Sequence, residues 1–198
     1  MSKWQPQFSR SHFEYGVSPY YWDSSLNPNA TFALCMANCT TLCYGRAIEN
    51  GLQAPVSVIR NASQWHLYLN DDWDLIPYYE GMQLKAGDIV QWIDANHIGT
   101  IEEDGIDPRQ SSSWYTGDDG TGSSNRSYAV MGNTLQSVSN WMVNNYPYRF
   151  YHCTNLSLEN RQGGNNQPPD YVFRNKKLGR GFKWWMSKKV IERRNGKI

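Results

Sequence analysis

Long apolar runs are missing from this 198-residue chain. No stretch approaches the roughly 20 apolar residues that a membrane-spanning helix needs, so no membrane span is expected. The opening M-S-K-W-Q-P-Q-F-S-R has no apolar core of the secretory type. It predicts synthesis in a cytoplasm without a signal peptide. Cysteine is sparse, with four in all: Cys35, Cys39, Cys43 and Cys153. A chain built on disulfides is usually shorter and denser in Cys. Three of the four stand four residues apart, which stacks them on one helix face if the segment is helical throughout. That invites a metal reading. However, C-x3-C-x3-C is not a usual structural zinc spacing, and no histidine lies close by in sequence. Small buried helix residues are the alternative for Cys35 and Cys43. No metal and no cofactor is implied. Internal repeats are also absent.

What is present is a foldable body with a charged end. Hydrophobic residues make up 39% and charged residues 19%, so the bulk of the chain is expected to pack. Aromatics are abundant, with nine Trp, thirteen Tyr and six Phe. Such side chains fill cores and also stack on flat ligands, and composition does not separate the two uses. The net charge of +1 hides an asymmetry. Residues 174–198 hold ten Lys/Arg and one acid, Glu192, for +9, while the preceding 173 residues sum to −8. The run R-Q-G-G-N-N-Q-P-P, residues 161–169, disfavours helix and strand interiors and reads as the joint. The expected division is a domain at 1–160 and a linker with a basic aromatic tail at 161–198.

Local patterns predict an α+β layout, helices first and antiparallel strands later. Residues 1–34 lack periodicity and should wrap the surface as irregular structure. Asn38 can cap a helix over 39–50, stopped by Asn50-Gly51. Asn61 can cap a second helix through A-S-Q-W-H-L-Y-L. Strands are expected at about 88–93, from His97 through Glu103, at 106–114 with Pro108 shortening it, near 126–131 and at 148–153. Residues 117–125 read as a loop.

Cys39 carries the strongest chemical signal. In the first turn of a capped helix it meets free N–H groups and the positive end of the helix dipole, which favour a thiolate. The same N–H groups can hold an oxyanion. A histidine later in the chain completes the minimum for thiol acyl transfer. His97 and His152 both qualify, and the residues alone do not rank one far above the other. Alternation puts His97 on a face with Gly99, Ile101 and Glu103, with Glu102 pointing the other way.

Ordered motifs add a resemblance. N-C-T-T-L-C-Y-G-R-A-I-E (38–49) resembles the nucleophile motif of CHAP domains, the cysteine/histidine-dependent amidohydrolase/peptidase family. Asn38, Cys39, Thr40, Gly45, Arg46 and Glu49 match it, while Leu42-Cys43 replaces the usual Tyr-Ala. N-A-S-Q-W (61–65), L-K-A-G-D-I-V-Q-W followed by N-H-I-G-T-I-E-E, and Y-R-F-Y-H-C (148–153) are similar to later family motifs in the same order. The similarity spans about residues 25–155. It implies a papain-like fold, with N-terminal helices packed on an antiparallel β-sheet. It also implies amide-bond cleavage in peptidoglycan with Cys39 as nucleophile and His97 as base. Asn38 and Trp114 are the candidate substrate ligands.

The sequence departs from the family where an acid usually orients the histidine. R-Q-S-S-S-W (109–114) places Ser111 there, or Gln110 if the register slips by one. Glu103 stands too far along the His97 strand to be a good orienter. No compact acidic loop precedes Cys39, so a calcium site is not indicated. The resemblance implies a phage lysin: an endolysin, or a lysin carried in a virion tail, acting at the bacterial cell wall. The basic tail fits wall contact or assembly with virion tail proteins better than nucleic acid. Two alternatives stand beside this: a weakened or inactive CHAP-fold structural component of a virion, and an effector-type thiol protease.

Overall fold

The computed structural model describes residues 4–14, 16–32, 38–93, 95–116, 126–137 and 148–154. The architecture is mixed α+β: one six-stranded antiparallel sheet with a few helical segments. Helix α1 runs Cys39–Glu49. The strands are β1 Trp73–Pro77, β2 Ile89–Trp92, β3 His97–Ile101, β4 Arg109–Thr116, β5 Arg126–Thr134 and β6 Tyr148–Cys153. Their spatial order is β1-β6-β2-β3-β4-β5, so β3 lies near the centre. Among the described residues no helix is long and apolar enough to cross a membrane.

Several sequence expectations are revised. Among the described residues α1 is the single α-helix of length; the expected second one is a 3-10 helix, Ala62–Leu67. Its first turn is anchored from β2 and from the turn before β3. Gln91 Nε2 donates to the Ala62 carbonyl at 2.6 Å, and the Ser63 N–H donates to Asn96 Oδ1 at 2.8 Å. The Asn61 side chain caps nothing. The N-terminal wrap contains three short 3-10 helices, Arg10–Phe13, Pro19–Tyr21 and Pro28–Phe32. The strand expected at 106–114 begins only after Pro108 and continues to Thr116. β5 runs three residues past its expected end, through a bulge at which Gly132 adopts φ +72°. β1 was not foreseen at all. Cys35, residues 117–125 and the joint and basic tail at 161–198 lie outside the described residues.

Two apolar clusters hold the sheet. One joins Leu42, Cys43 and Ala47 of α1 to Ile98, Ile89 and Tyr151 of the sheet and to Trp65 and Trp73. The other packs Ile101, Val90, Trp92 and Phe150 together. Full burial of each such aliphatic side chain contributes about 2–3 kcal/mol. Alternation therefore sends Ile98 to the helix side and His97 and Ile101 to the other.

The resemblance motif turns out to be largely structural. Arg46 is 1% exposed, and its Nε and Nη2 reach the buried Glu102 carboxylate at 2.9 and 2.7 Å. Glu49 takes Nη1 at 2.7 Å, and its other oxygen receives His12. Glu102 also accepts from the Trp4 indole, the Gln7 N–H and the Ser111 hydroxyl. Arg46 thus ties α1 to β3, β4 and the N-terminal wrap. Removing one partner of a buried pair typically costs about 3–5 kcal/mol.

Gly45 is needed for a different reason. A Cβ there would stand 2.6 Å from Tyr21 Cε1 and 2.8 Å from the Tyr20 carbonyl oxygen. Gly45→Ala gains about 1 kcal/mol of helix propensity but forces the 3-10 turn off the helix, an overpacking of about 3 kcal/mol. The expected net loss of about 2 kcal/mol corresponds to a Tm lower by roughly 4–8 °C in a thermal melt. An unchanged or raised Tm would contradict this packing.

Candidate active site

Cys39 occupies the first position of α1. Asn38 fixes that start: its Oδ1 accepts the Thr41 N–H and the Thr40 hydroxyl, each at 2.9 Å. Burial pushes the Cys39 thiol up to about 11. The N–H groups of Ile98, Thr40 and Cys39 itself pull the other way without offsetting it. The residue keeps partial exposure, so pocket water moderates that desolvation.

His97 opens β3. Asn96 before it has φ +49°, a left-handed conformation that Asn tolerates better than other side-chain-bearing residues. That turn aims β3 inward and lets the Asn96 amide hold Ser63. The imidazole stacks on Trp92, ring centroids 5.3 Å apart and 27° between planes. Burial pushes its pKa down to about 3.

One pocket of about 350 Å³ joins these residues. Asn38, Cys39 and Thr40 line it from the helix start, Asn61 and Ala62 from the 3-10 segment, and Ala95, Asn96 and His97 from the turn into β3. The 3-10 wall is braced from below, because the Gln91 amide that holds Ala62 also accepts the buried Tyr151 hydroxyl. His152 is elsewhere, bonded to Asp88 at 2.7 Å, and His12 is held by Glu49. Of these histidines His97 is the one that lines the pocket with Cys39, its ring lying on the Trp92 face of the sheet.

The expected orienting residues also separate. β3 and β4 pair Thr100 with Ser111 and Ile101 with Gln110. Ser111 therefore faces the helix side, where its hydroxyl donates to Glu102. Gln110 shares the His97 face. Its Oε1 leans over Gly99, so close that a Cβ at 99 would stand 2.7 Å away. Gly99 thus keeps open the space between Gln110 and the start of β3. Both polar atoms of the Gln110 amide are buried without a hydrogen bond. Glu103 lies beyond the strand and pairs with Arg109 at 2.7 Å. The side-chain oxygen of Asn38 is committed to the cap, although the residue borders the pocket. For Trp114 only the backbone is described, paired with Tyr128.

Two expectations follow. Gln110→Ala should slow catalysis by about tenfold, a modest positioning effect beside the larger factors of general-base loss. Ser111→Ala should leave the rate intact and lower the Tm through Glu102. Rates and melts of the two variants check this, and the reverse assignment sinks it. Second, the thiol and imidazole are both neutral in the resting site between about pH 3 and pH 11. Alkylation of Cys39 should therefore climb steadily toward alkaline pH. A plateau already reached between pH 5 and 8 would mean a preformed thiolate–imidazolium pair. Subtracting the Cys39→Ser background isolates this thiol.

Residues the sequence reading gave no role include Arg46, Glu102, Gly99 and Gln91. The paired signal was available for two of them: an arginine in the nucleophile motif, and an acid on the strand face opposite His97. Comparison with family models, with curated proteins and with solved structures gives no match.

Proposed function

We propose that this chain is a cysteine-dependent peptidoglycan hydrolase, an amidase or endopeptidase of papain-like, CHAP-type architecture, from a phage lysin. The observation that carries this reading is the shared pocket: Cys39 on a helix start and His97 on a central strand border one cavity. The ordered motifs of residues 25–155 supply the substrate class.

The chemistry begins from a neutral pair. As Cys39 Sγ attacks an amide carbonyl carbon, its proton passes to the His97 imidazole, which must first swing from its stack on Trp92 round the start of β3 to the α1 side. The carbonyl oxygen gains the negative charge, and the N–H groups at the start of α1 are placed to receive it. Collapse breaks the C–N bond, and the imidazolium protonates the leaving amine. Water then attacks the thioester, His97 takes its proton, and the thiol is released with a carboxylate product. Substrate seated in the pocket excludes water and strengthens each of these interactions.

The test is a zymogram of the full chain on bacterial cell walls, with new amino groups assayed in the soluble products. Clearing with amine release is expected. No clearing across walls of several chemotypes removes the hydrolase reading. One observation favours a second reading, a virion component that retains the fold with weakened activity. The described β4 residues on the His97 face, Gln110 and Ser112, are neutral. An inert parent bound stably in a virion would establish it.

A further inference from the structure

Exposed large apolar side chains concentrate on one short segment beside the pocket. Val58, Ile59, Leu67 and Tyr68 are 41, 41, 66 and 42% exposed. They flank Asn61 and Ala62, which line the pocket. The segment is well braced. Val56 bridges Leu69. The Asn70 N–H donates to the Pro55 carbonyl at 2.9 Å, and its side-chain amide donates to Ala54 O at 2.7 Å. The Trp65 indole donates to the Arg60 carbonyl at 3.2 Å. A fixed backbone that turns clustered apolar side chains to solvent is the mark of a recognition surface.

Arg60 sits at its centre, one residue before the pocket rim. Its guanidinium lies 4.2 Å from the Tyr68 ring centroid, and Nη1 donates to the Ile59 carbonyl at 2.7 Å. Neither contact neutralises the charge. Among the described residues no carboxylate pairs with Arg60, whereas Arg46, Lys85 and Arg109 each hold one. From residue 52 to residue 70 the sequence contains no acid at all, inside a body that is otherwise acidic.

We propose that this ledge binds the peptide stem of peptidoglycan, with Arg60 receiving one of its free carboxylates. The proposal rests on the hydrolase reading of the adjacent pocket and names the part of the substrate that lies outside it. The stem fits better than the glycan because the polymer's free carboxylates belong to its peptides. Tyr68 restrains the guanidinium plane, so little side-chain freedom is lost when its fork meets a carboxylate. Val58 and Ile59 offer apolar contact to the methyl groups of the stem's alanines.

The experiment uses a soluble disaccharide-tetrapeptide and the same compound with its carboxylates amidated. Calorimetry compares the full chain carrying Cys39→Ser with the same chain carrying Cys39→Ser and Arg60→Met. The expected result is roughly tenfold weaker binding of the acid form by the Arg60→Met protein, the scale of one charge-assisted contact. The amidated form should bind both proteins alike. In the catalytically intact chain, Arg60→Met should raise KM on the acid substrate with kcat unchanged, and Arg60→Lys should recover part of the loss. Equal binding of the acid form by both proteins, or binding by neither, overturns the ledge. An intact chain that cuts nothing but still binds through Arg60 overturns the hydrolase reading and leaves the ledge standing.

Discussion

Cys39→Ser abolishes wall lysis in the expected outcome, reducing clearing to the level of a blank while leaving the thermal melt unchanged. The reason lies in acidity and in nucleophilicity. The Cys39 thiol is already pushed up to about 11 by burial. A serine hydroxyl in the same place begins far higher and suffers the same desolvation, so His97 has little prospect of deprotonating it. Structure should be indifferent to the change. Oγ replaces Sγ on a half-buried residue whose helix is fixed by Asn38, by the Gly45 approach to Tyr21 and by Arg46 on Glu102. The turbidity of a wall suspension, followed for parent and variant at equal concentration, is the measurement. Lysis by Cys39→Ser within tenfold of the parent excludes a thiol mechanism. Loss of lysis together with a collapsed melt leaves the mechanism to be decided by alkylation instead: a parent inactivated stoichiometrically at Cys39 supports it, and a fully alkylated, active parent ends it.

How much of this site the sequence held depends on the kind of interaction. The α1 start was legible because a cap is a local device: Asn38 followed by a helix-compatible run needs no partner elsewhere. β2, β3 and β6 were legible from alternation and from turn residues. The 3-10 segment at 62–67 was not, because its carbonyl and N–H partners, Gln91 and Asn96, come from about thirty residues away. β1 was missed for a similar reason. Trp73–Pro77 is an edge strand ending in proline, and it gains its identity by pairing with β6 near the far end of the domain. The choice between Gln110 and Ser111 turned on a strand register. A one-residue slip exchanges the two faces, and nothing in R-Q-S-S-S-W fixes the register by itself. The choice of His97 over His152 came from the order of the resembling motifs, whereas the pocket that His97 shares with Cys39 is a property of the topology rather than of either residue.

His97→Ala carries the second large effect. It should lower kcat/KM for wall cleavage by at least about 100-fold, the usual scale for a positioned general base. His152→Ala should leave the rate within a few fold, since that ring is bonded to Asp88 and does not border the pocket. The pH dependence gives the assignment a second handle. Burial pushes His97 down to about 3, so its base form is fully present in the resting enzyme well below neutrality. The parent's kcat/KM should therefore show no fall as pH drops from 7.5 to 5.5, the range in which an imidazole of ordinary pKa would protonate. The sign follows directly: a histidine with a depressed pKa loses its base form only when pH falls through that lower value. Wall cleavage at low substrate concentration, measured from pH 5 to 8 in parent, His97→Ala and His152→Ala, tests both statements together. A 100-fold loss in His152→Ala with an active His97→Ala would move the base to β6. A parent whose rate falls tenfold per pH unit below 6.5 would show that substrate-free burial does not describe His97 in the working enzyme, and that the ring meets a negative partner once the pocket is filled.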